Sequence, residues 1–252
     1  MTALRLCVLY PEQMNIYADR GNILFLERRC EWRGIGFELA RSGPGEAVDP
    51  QAHDLIYVGG GQDRDQRLVA ADMVKVKRDG LACALTDGAV VLAVCGGYQL
   101  LGHSYQLGAE RIEGLGLADL ETIRSDEPRL IGNVAIETHL GDGKRIVAGF
   151  ENHGGRTHLG PGAKPLGRVV KGHGNNGEDG FEGVLGSGEG GAGHLIGTYL
   201  HGPLLPKNAW LADRLIQLAL ARREGYEPQL EPLDDSFEET AHQSARGAAM
   251  RG

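Results

Sequence analysis

Val90–Gly102, VVLAVCGGYQLLG, constrains the fold more than any other stretch of the chain. An apolar run ends at a cysteine, two glycines follow, and a segment of helical character begins. Such a run reads as a short strand buried on both faces, the kind found in parallel sheets flanked by helices. A strand that turns on glycine straight into a helix forces the turning residue into a strained position at the carboxyl end of the sheet. Cys95 is that residue, and so a candidate nucleophile. The N–H groups of Gly96 and Gly97 then open a helix, where partial positive charge favours thiolate and can hold a developing oxyanion. The segment equally suits a small buried hydrophobe, the common fate of a free cysteine.

The preceding residues repeat the pattern. Leu4–Leu9 is an apolar run closed by Tyr10-Pro11, and Asp19–Arg33 reads as a helix, with Asp19 as its cap and Ile23, Leu26 and Cys30 on one face. A short strand around Phe37–Ala40, a Gly- and Pro-rich loop over Ser42–Pro50, and a strand at Asp54–Val58 lead into Gly59-Gly60-Gly61. A second helix carries Val69, Met73 and Val76 at helical spacing. This β-α-β-α-β-α alternation predicts an α/β fold with a central parallel sheet and helices on both faces. From Gly114 the pattern changes to short extended segments: Leu117–Ile123, Asn133–Thr138, Ile146–Glu151, Gly167–Val170, Phe181–Val184 and Leu195–Tyr199. They predict antiparallel strands that extend the sheet, with loops folded over the carboxyl ends of its parallel strands. Pro206–Arg223 returns to helix. We expect one domain over residues 1–223 and, over 224–252, an acidic and then small-residue-rich tail that is disordered unless a partner binds it.

Composition excludes several partners. With a net charge of −8 and no basic block, nothing suits a phosphate-tracking surface, so nucleic acid is not expected. The four cysteines form no CxxC pair and MTALRLCVLY is no secretory leader, which predicts a reduced, cytoplasmic protein. No apolar stretch approaches the ~20 residues of a membrane span.

Three glycine-flanked turns follow apolar strands: Gly59–Asp63, Cys95–Gln99, and the turn after Thr198–Gly202. In a doubly wound sheet the carboxyl ends of strands converge on one crevice. Cys95 would there meet His201, which ends a strand beside glycine and proline. An imidazole can take the thiol proton and return it to a leaving amine. The chain has nine histidines, and position alone leaves the choice among them open.

The triple glycine, AVCGGYQLLG and the strand-ending histidine together resemble a class I (triad-type) glutamine amidotransferase with a flavodoxin-like fold. More narrowly, YADRGN (Tyr17–Asn22), GGGQDRDQ, CGGYQLLG, GFENHGGRTHLG (Gly149–Gly160), GNNGEDG (Gly174–Gly180) and GTYLHGPLLPKN (Gly197–Asn208) resemble, in order, the cobyric-acid-synthase-like branch. Within that branch they resemble the glutaminase subunits of lipid II isoglutaminyl synthase.

The resemblance implies that Cys95 attacks the side-chain amide of L-glutamine, that His201 protonates departing ammonia, and that water hydrolyses the thioester. The oxyanion would sit against the N–H groups of Gly96 and of Gly60 or Gly61. Gln99, one helical turn beyond Cys95, would recognise the substrate, although an isolated glutamine there reads as an ordinary polar helix residue. Arg129 would clamp the α-carboxylate of glutamine, or else it is a solvated loop charge. Asn152 and His153 would line the glutamine pocket or the ammonia exit. GNNGEDG lacks the spacing of a calcium loop, and no metal is expected. Nor is a cofactor expected on this chain. It has no GxxxxGK[ST] loop, so ATP would be used by a Mur-ligase-like synthetase subunit, MurT in that family, forming a heterodimer with it. That partner would activate the α-carboxyl of D-glutamate in the lipid II stem peptide, and ammonia would convert it to D-isoglutamine at the inner face of the membrane. A corrinoid carboxylate, as in cobyric acid synthesis, is the alternative acceptor. One departure stands out. The triad family carries a glutamate two residues after its histidine, and His201-Gly202-Pro203 has none. The orienting acid would then come from elsewhere in this chain, with Glu151 the first choice, or from the synthetase subunit.

Overall fold

Leu55–Val58 and Val90–Val94 are buried at every residue, as strands covered on both faces must be. They form the middle of the molecule, and the computed structural model describes residues 2–14, 20–61, 63–107, 109–188 and 191–251 around them. In chain order the elements are β1 (Ala3–Leu9), α1 (Arg20–Glu31), β2 (Gly36–Ser42), β3 (Leu55–Val58), α2 (Asp63–Asp72), a π-helical turn (Met73–Lys77), α3 (Arg78–Thr86), β4 (Val90–Val94) and α4 (Gly96–Leu100). Then come β5 (Ser104–Leu107), β6 (Glu110–Glu113), β7 (Leu120–Arg124), β8 (Leu130–Thr138), β9 (Arg145–His153), β10 (Gly155–Leu159), β11 (Gly167–Lys171), β12 (Phe181–Glu182), β13 (Val184–Gly186) and β14 (His194–Thr198). A 3-10 turn (Leu205–Lys207), α5 (Ala209–Glu224) and α6 (Ser236–Arg251) complete the chain. Asp19, the expected helix cap, lies outside the described residues, as do Tyr17 and Ala18 of the first motif block and Gln62 of the second.

The central sheet has the order β2-β1-β3-β4-β14-β13, parallel except for β13. This is the doubly wound order in which the chain reverses direction between β1 and β3. The crossover through α1 moves one way along the sheet and that through α2 and α3 moves the other. Right-handed connections therefore place them on opposite faces. Helix α5 packs against α1 and against β1, β3 and β4. The fold is α/β with helices on both faces, as the alternation predicts.

The second half departs from expectation in two ways. Only β13 extends the central sheet as an antiparallel strand; the other extended segments build two further sheets, β10-β7-β5-β6 and β12-β11-β8-β9. Strand β14, expected among the antiparallel segments, pairs parallel to β4, with Thr198 opposite Val94. Burial gives the reason. β14 is apolar and buried along nearly its whole length, which fits only the doubly covered sheet, whereas the exposed and buried positions of β7 and β8 mark sheets with one wet face.

The tail expected over 224–252 is also corrected: of its described residues, Ser236–Arg251 form α6, packed against β8, β9 and the Leu205–Lys207 turn. Its approach is anchored by Arg29, a fully buried guanidinium between Asp213 of α5 (2.5 Å) and Asp235 (2.5 Å), and His242 Nδ1 lies 2.9 Å from Lys207 O.

Candidate active site

At the end of β4 the chain turns at Cys95 with φ +52° and ψ −107°, a conformation that a side chain adopts only under constraint. Three backbone bonds supply the constraint. Cys95 N–H donates to Thr198 O of the adjoining strand (2.8 Å), Gly97 N–H to Gly59 O of the triple-glycine turn (3.1 Å), and Gln99 N–H to Cys95 O (3.1 Å). The elbow is thus pinned between β14 and the turn after β3. Glycine is required beside it: a Cβ on Gly96 would stand 2.2 Å from Gln66 Nε2 and 3.1 Å from Gly61 N.

This close approach brings the Gly61 backbone against the residue following the cysteine, the arrangement expected of two oxyanion walls. Gly61 and Cys95 line one cavity together, and Gly60, buried, flanks it. Gly97, expected with Gly96 as an oxyanion donor, instead has its N–H committed to Gly59 O, because that bond closes the elbow onto the glycine turn.

The register of β4 and β14 sets Cys95 and His201 at the carboxyl ends of neighbouring parallel strands. His201 is 2% exposed and is fixed by a two-bond bridge to Phe150, His201 N–H to Phe150 O (3.0 Å) and Phe150 N–H to His201 O (3.2 Å). Burial, with smaller contributions from the charges of Lys207 and His153, lowers its pKa to about 4, while Glu151 pulls the other way. The imidazole is therefore neutral at pH 7 and able to accept a proton.

Gln99 lines the cavity, but its amide is held from both ends. Oε1 accepts from Gln66 Nε2 (2.9 Å) and Nε2 donates to the Tyr199 hydroxyl (3.1 Å). Tyr199 in turn stacks flat on His153, centroids 3.5 Å apart and planes 4° apart. His153 Nδ1 lies 2.8 Å from Gly155 O, which fixes the proton on Nδ1, and its Nε2 lies 3.9 Å from Glu151 Oε2. Arg129 is exposed at the cavity rim, gripping Asn152 through Nε to Oδ1 (2.9 Å) and Nη2 to the backbone O (2.8 Å). Asn152 therefore orients Arg129.

Glu151, the first choice for the orienting acid, is fully buried on β9 and accepts the N–H groups of His173 (2.7 Å) and Gly174 (2.9 Å). Sequence reasoning missed the braces behind the site. Glu182, also fully buried, accepts Tyr199 N–H (2.7 Å) and the Thr198 hydroxyl (3.0 Å), and burial pushes its pKa up to about 8 against those donors. Asn175, in the GNNGEDG loop, accepts the Tyr98 hydroxyl (3.1 Å). Arg124, Tyr105 and Gln66 line the cavity as well. Gln66 and Asn175 carried a signal, lying inside the GGGQDRDQ and GNNGEDG blocks.

Comparison with known proteins places this geometry in a family. Residues 5–209 match the CobB/CobQ-like glutamine amidotransferase domain. The chain is similar to the lipid II isoglutaminyl synthase (glutamine-hydrolyzing) subunit GatD of Streptococcus pneumoniae, 39% identical over 233 residues that cover 92% of this chain and 86% of that one. It is also similar to GatD of Staphylococcus aureus, 40% identical over 214 residues covering 84% and 82%. A probable cobyric acid synthase of Methanothermobacter thermautotrophicus is 33% identical over 188 residues, covering 68% of this chain and 34% of that protein. Among solved structures, PurLQS from Thermotoga maritima shares the fold, with a TM-score of 0.57 and 20% identity over 87% of this chain and 98% of that one.

Proposed function

Because this chain belongs to the CobB/CobQ-like glutamine amidotransferase family, we propose that it is the glutaminase subunit of a lipid II isoglutaminyl synthase. The observation that carries the reading is the strained Cys95 at the end of β4, lining one cavity with Gly61 and bonded to β14, just beyond whose end stands His201.

Cys95 Sγ attacks Cδ of the glutamine side chain while neutral His201 takes the thiol proton. The oxyanion of the tetrahedral intermediate is held by backbone N–H groups of Gly96 and of the Gly60-Gly61 turn. His201 then gives its proton to the departing nitrogen, releasing ammonia and leaving a glutamyl thioester. Water attacks the thioester, His201 takes its proton and returns it to sulfur, and glutamate leaves. Arg129 binds the α-carboxylate with a guanidinium already oriented by Asn152, and Gln99 meets the rest of the substrate.

Ammonia passes along the wall containing Asn152 and His153 to a Mur-ligase-like synthetase partner, MurT, which holds ATP and activates the α-carboxyl of D-glutamate in the lipid II stem peptide. Assembly with that partner places the reaction in the cytoplasm at the inner face of the membrane. The lengths matched support this acceptor over a corrinoid carboxylate. The alignment spans 86% and 82% of the two GatD relatives but 32% to 41% of the cobyric acid synthases. The acid that orients His201 comes either from Glu151, whose charge raises the His201 pKa, or from the partner. Full glutaminase activity in the chain alone, lost in Glu151→Gln, assigns it to Glu151, and activity only on assembly assigns it to the partner.

In the assembled complex, Cys95→Ala abolishes ammonia release from glutamine, and the stem peptide is no longer amidated when glutamine is the nitrogen source. Free ammonia at high pH restores amidation. Glutamine-dependent ammonia release that persists in Cys95→Ala contradicts the reading.

A further inference from the structure

The buried polar groups around the cavity form a continuous chain of hydrogen bonds, and the mechanism gives its first member no role. Gln66, on α2, donates from Nε2 to Gln99 Oε1 over 2.9 Å. Gln99 Nε2 donates to the Tyr199 hydroxyl over 3.1 Å. That hydroxyl lies 2.6 Å from Thr157 Oγ1, itself 2.8 Å from Thr122 Oγ1. All five side chains are buried. A carboxamide nitrogen only donates, so Tyr199 receives from Gln99, while between the three hydroxyls either oxygen of a pair can donate. As far as Tyr199 the chain has one direction, set from its Gln66 end.

The two ends of a carboxamide have nearly the same shape, so packing alone does not decide which way round Gln99 sits; the donor facing it does. Glycines hold both contacts close. A Cβ on Gly96 would stand 2.2 Å from Gln66 Nε2, and one on Gly155 would stand 2.6 Å from Gln99 Nε2. Gln66 thus lies directly over the residue following the nucleophile and against the amide one turn beyond it.

We propose that Gln66 is a positioning residue that fixes the orientation of the Gln99 amide, and through it the affinity of the cavity for glutamine. With Oε1 turned to α2 and Nε2 to Tyr199, Gln99 offers the cavity one pattern of remaining lone pair and N–H. Without the Gln66 donor the amide can reverse, and that pattern reverses with it. The inference rests on the cavity being the glutamine pocket.

The test uses the full chain with its synthetase partner, in the variants Gln66→Leu, Gln66→Glu and Tyr199→Phe. Gln66→Leu raises KM for glutamine about tenfold, the effect of one ordinary hydrogen bond, with kcat changed less than about twofold. Gln66→Glu raises KM at least as far, since a carboxylate only accepts and turns the Gln99 nitrogen towards α2. The Gln66→Leu/Tyr199→Phe double variant shows a smaller KM increase than the product of the single effects, because both act through one amide. Labelling separates positioning from general loosening of the site. The rate at which 6-diazo-5-oxo-L-norleucine labels Cys95 falls about tenfold relative to the rate with iodoacetamide, which alkylates the thiol without recognition of a glutamine skeleton. An unchanged KM in Gln66→Glu, or equal losses with both reagents, overturns the proposal. If Gln66→Leu does not fold, Gln66→Glu and Tyr199→Phe carry the test at nearly constant volume. A wild-type complex that neither hydrolyses glutamine nor reacts with the diazo compound defeats the glutamine reading itself, a result distinct from either.

Discussion

Cys95 and His201 illustrate how the surrounding fold sets the chemistry of a residue. At Cys95 the strained φ of +52° is held by hydrogen bonds to β14 on one side and from Gly97 to the glycine turn after β3 on the other, so the sulfur is presented from the end of the sheet. At His201 burial keeps the imidazole neutral, and this couples to stability. The folded-state pKa is about 4 against an ordinary 6.5, so as pH falls the unfolded chain takes up the proton first. This part of the stability is complete above about pH 6.5 and is lost between there and about pH 4. Denaturant unfolding of His201→Asn across that window shows a shallower decline in stability than wild type; equal slopes contradict the assignment. An acidic group brought against His201 by the partner raises its pKa. The acid limb of kcat/KM for the assembled complex then lies above that of any activity in the chain alone.

At the scale of elements, what was legible in the sequence was what local chemistry dictates. The apolar runs of β1, β3 and β4 and the glycine turns after the last two announce a doubly wound sheet, and the Cys95 elbow follows from its own thirteen-residue stretch. Long-range pairing left no such trace. The short apolar run of β14 suits a doubly covered strand, but nothing local says that it joins β4, or that β8 and β9 pair with each other. Helix α6 was missed because SFEETAHQSARGAAMR has few apolar residues to set a period, although its Ala, Glu and Arg favour helix. Gln66 and Glu182 look like solvated polar residues until the fold buries them. Glu182 braces the segment leading to His201, which gives a test. Glu182→Leu leaves Tyr199 N–H and the Thr198 hydroxyl without their acceptor and costs about 2–4 kcal/mol in urea unfolding, with kcat reduced as well. Glu182→Gln, which keeps an acceptor oxygen, costs less than half as much. Equal losses in the two variants would show that the brace is packing rather than hydrogen bonding.

Across the whole molecule, three sheets converge on one cavity. The elbow of the central sheet supplies Cys95 and Gln99, β9 and β10 supply His153 and Gly155, and the segment before β8 supplies Arg129. The four cysteines allow the central claim to be tested in one experiment. Burial pushes the Cys7 thiol up to about 11 and the Cys30 thiol up to about 12, so both are inert near neutral pH. Cys83 is exposed and lies outside the cavity, open to any small electrophile but without a glutamine pocket. The decisive measurement is peptide mapping of the full chain, assembled with its synthetase partner, after brief exposure to 6-diazo-5-oxo-L-norleucine. The account predicts a single adduct on Cys95, suppressed by excess L-glutamine and not by D-glutamine. No adduct on Cys95, or an adduct there that excess L-glutamine does not suppress, would contradict it.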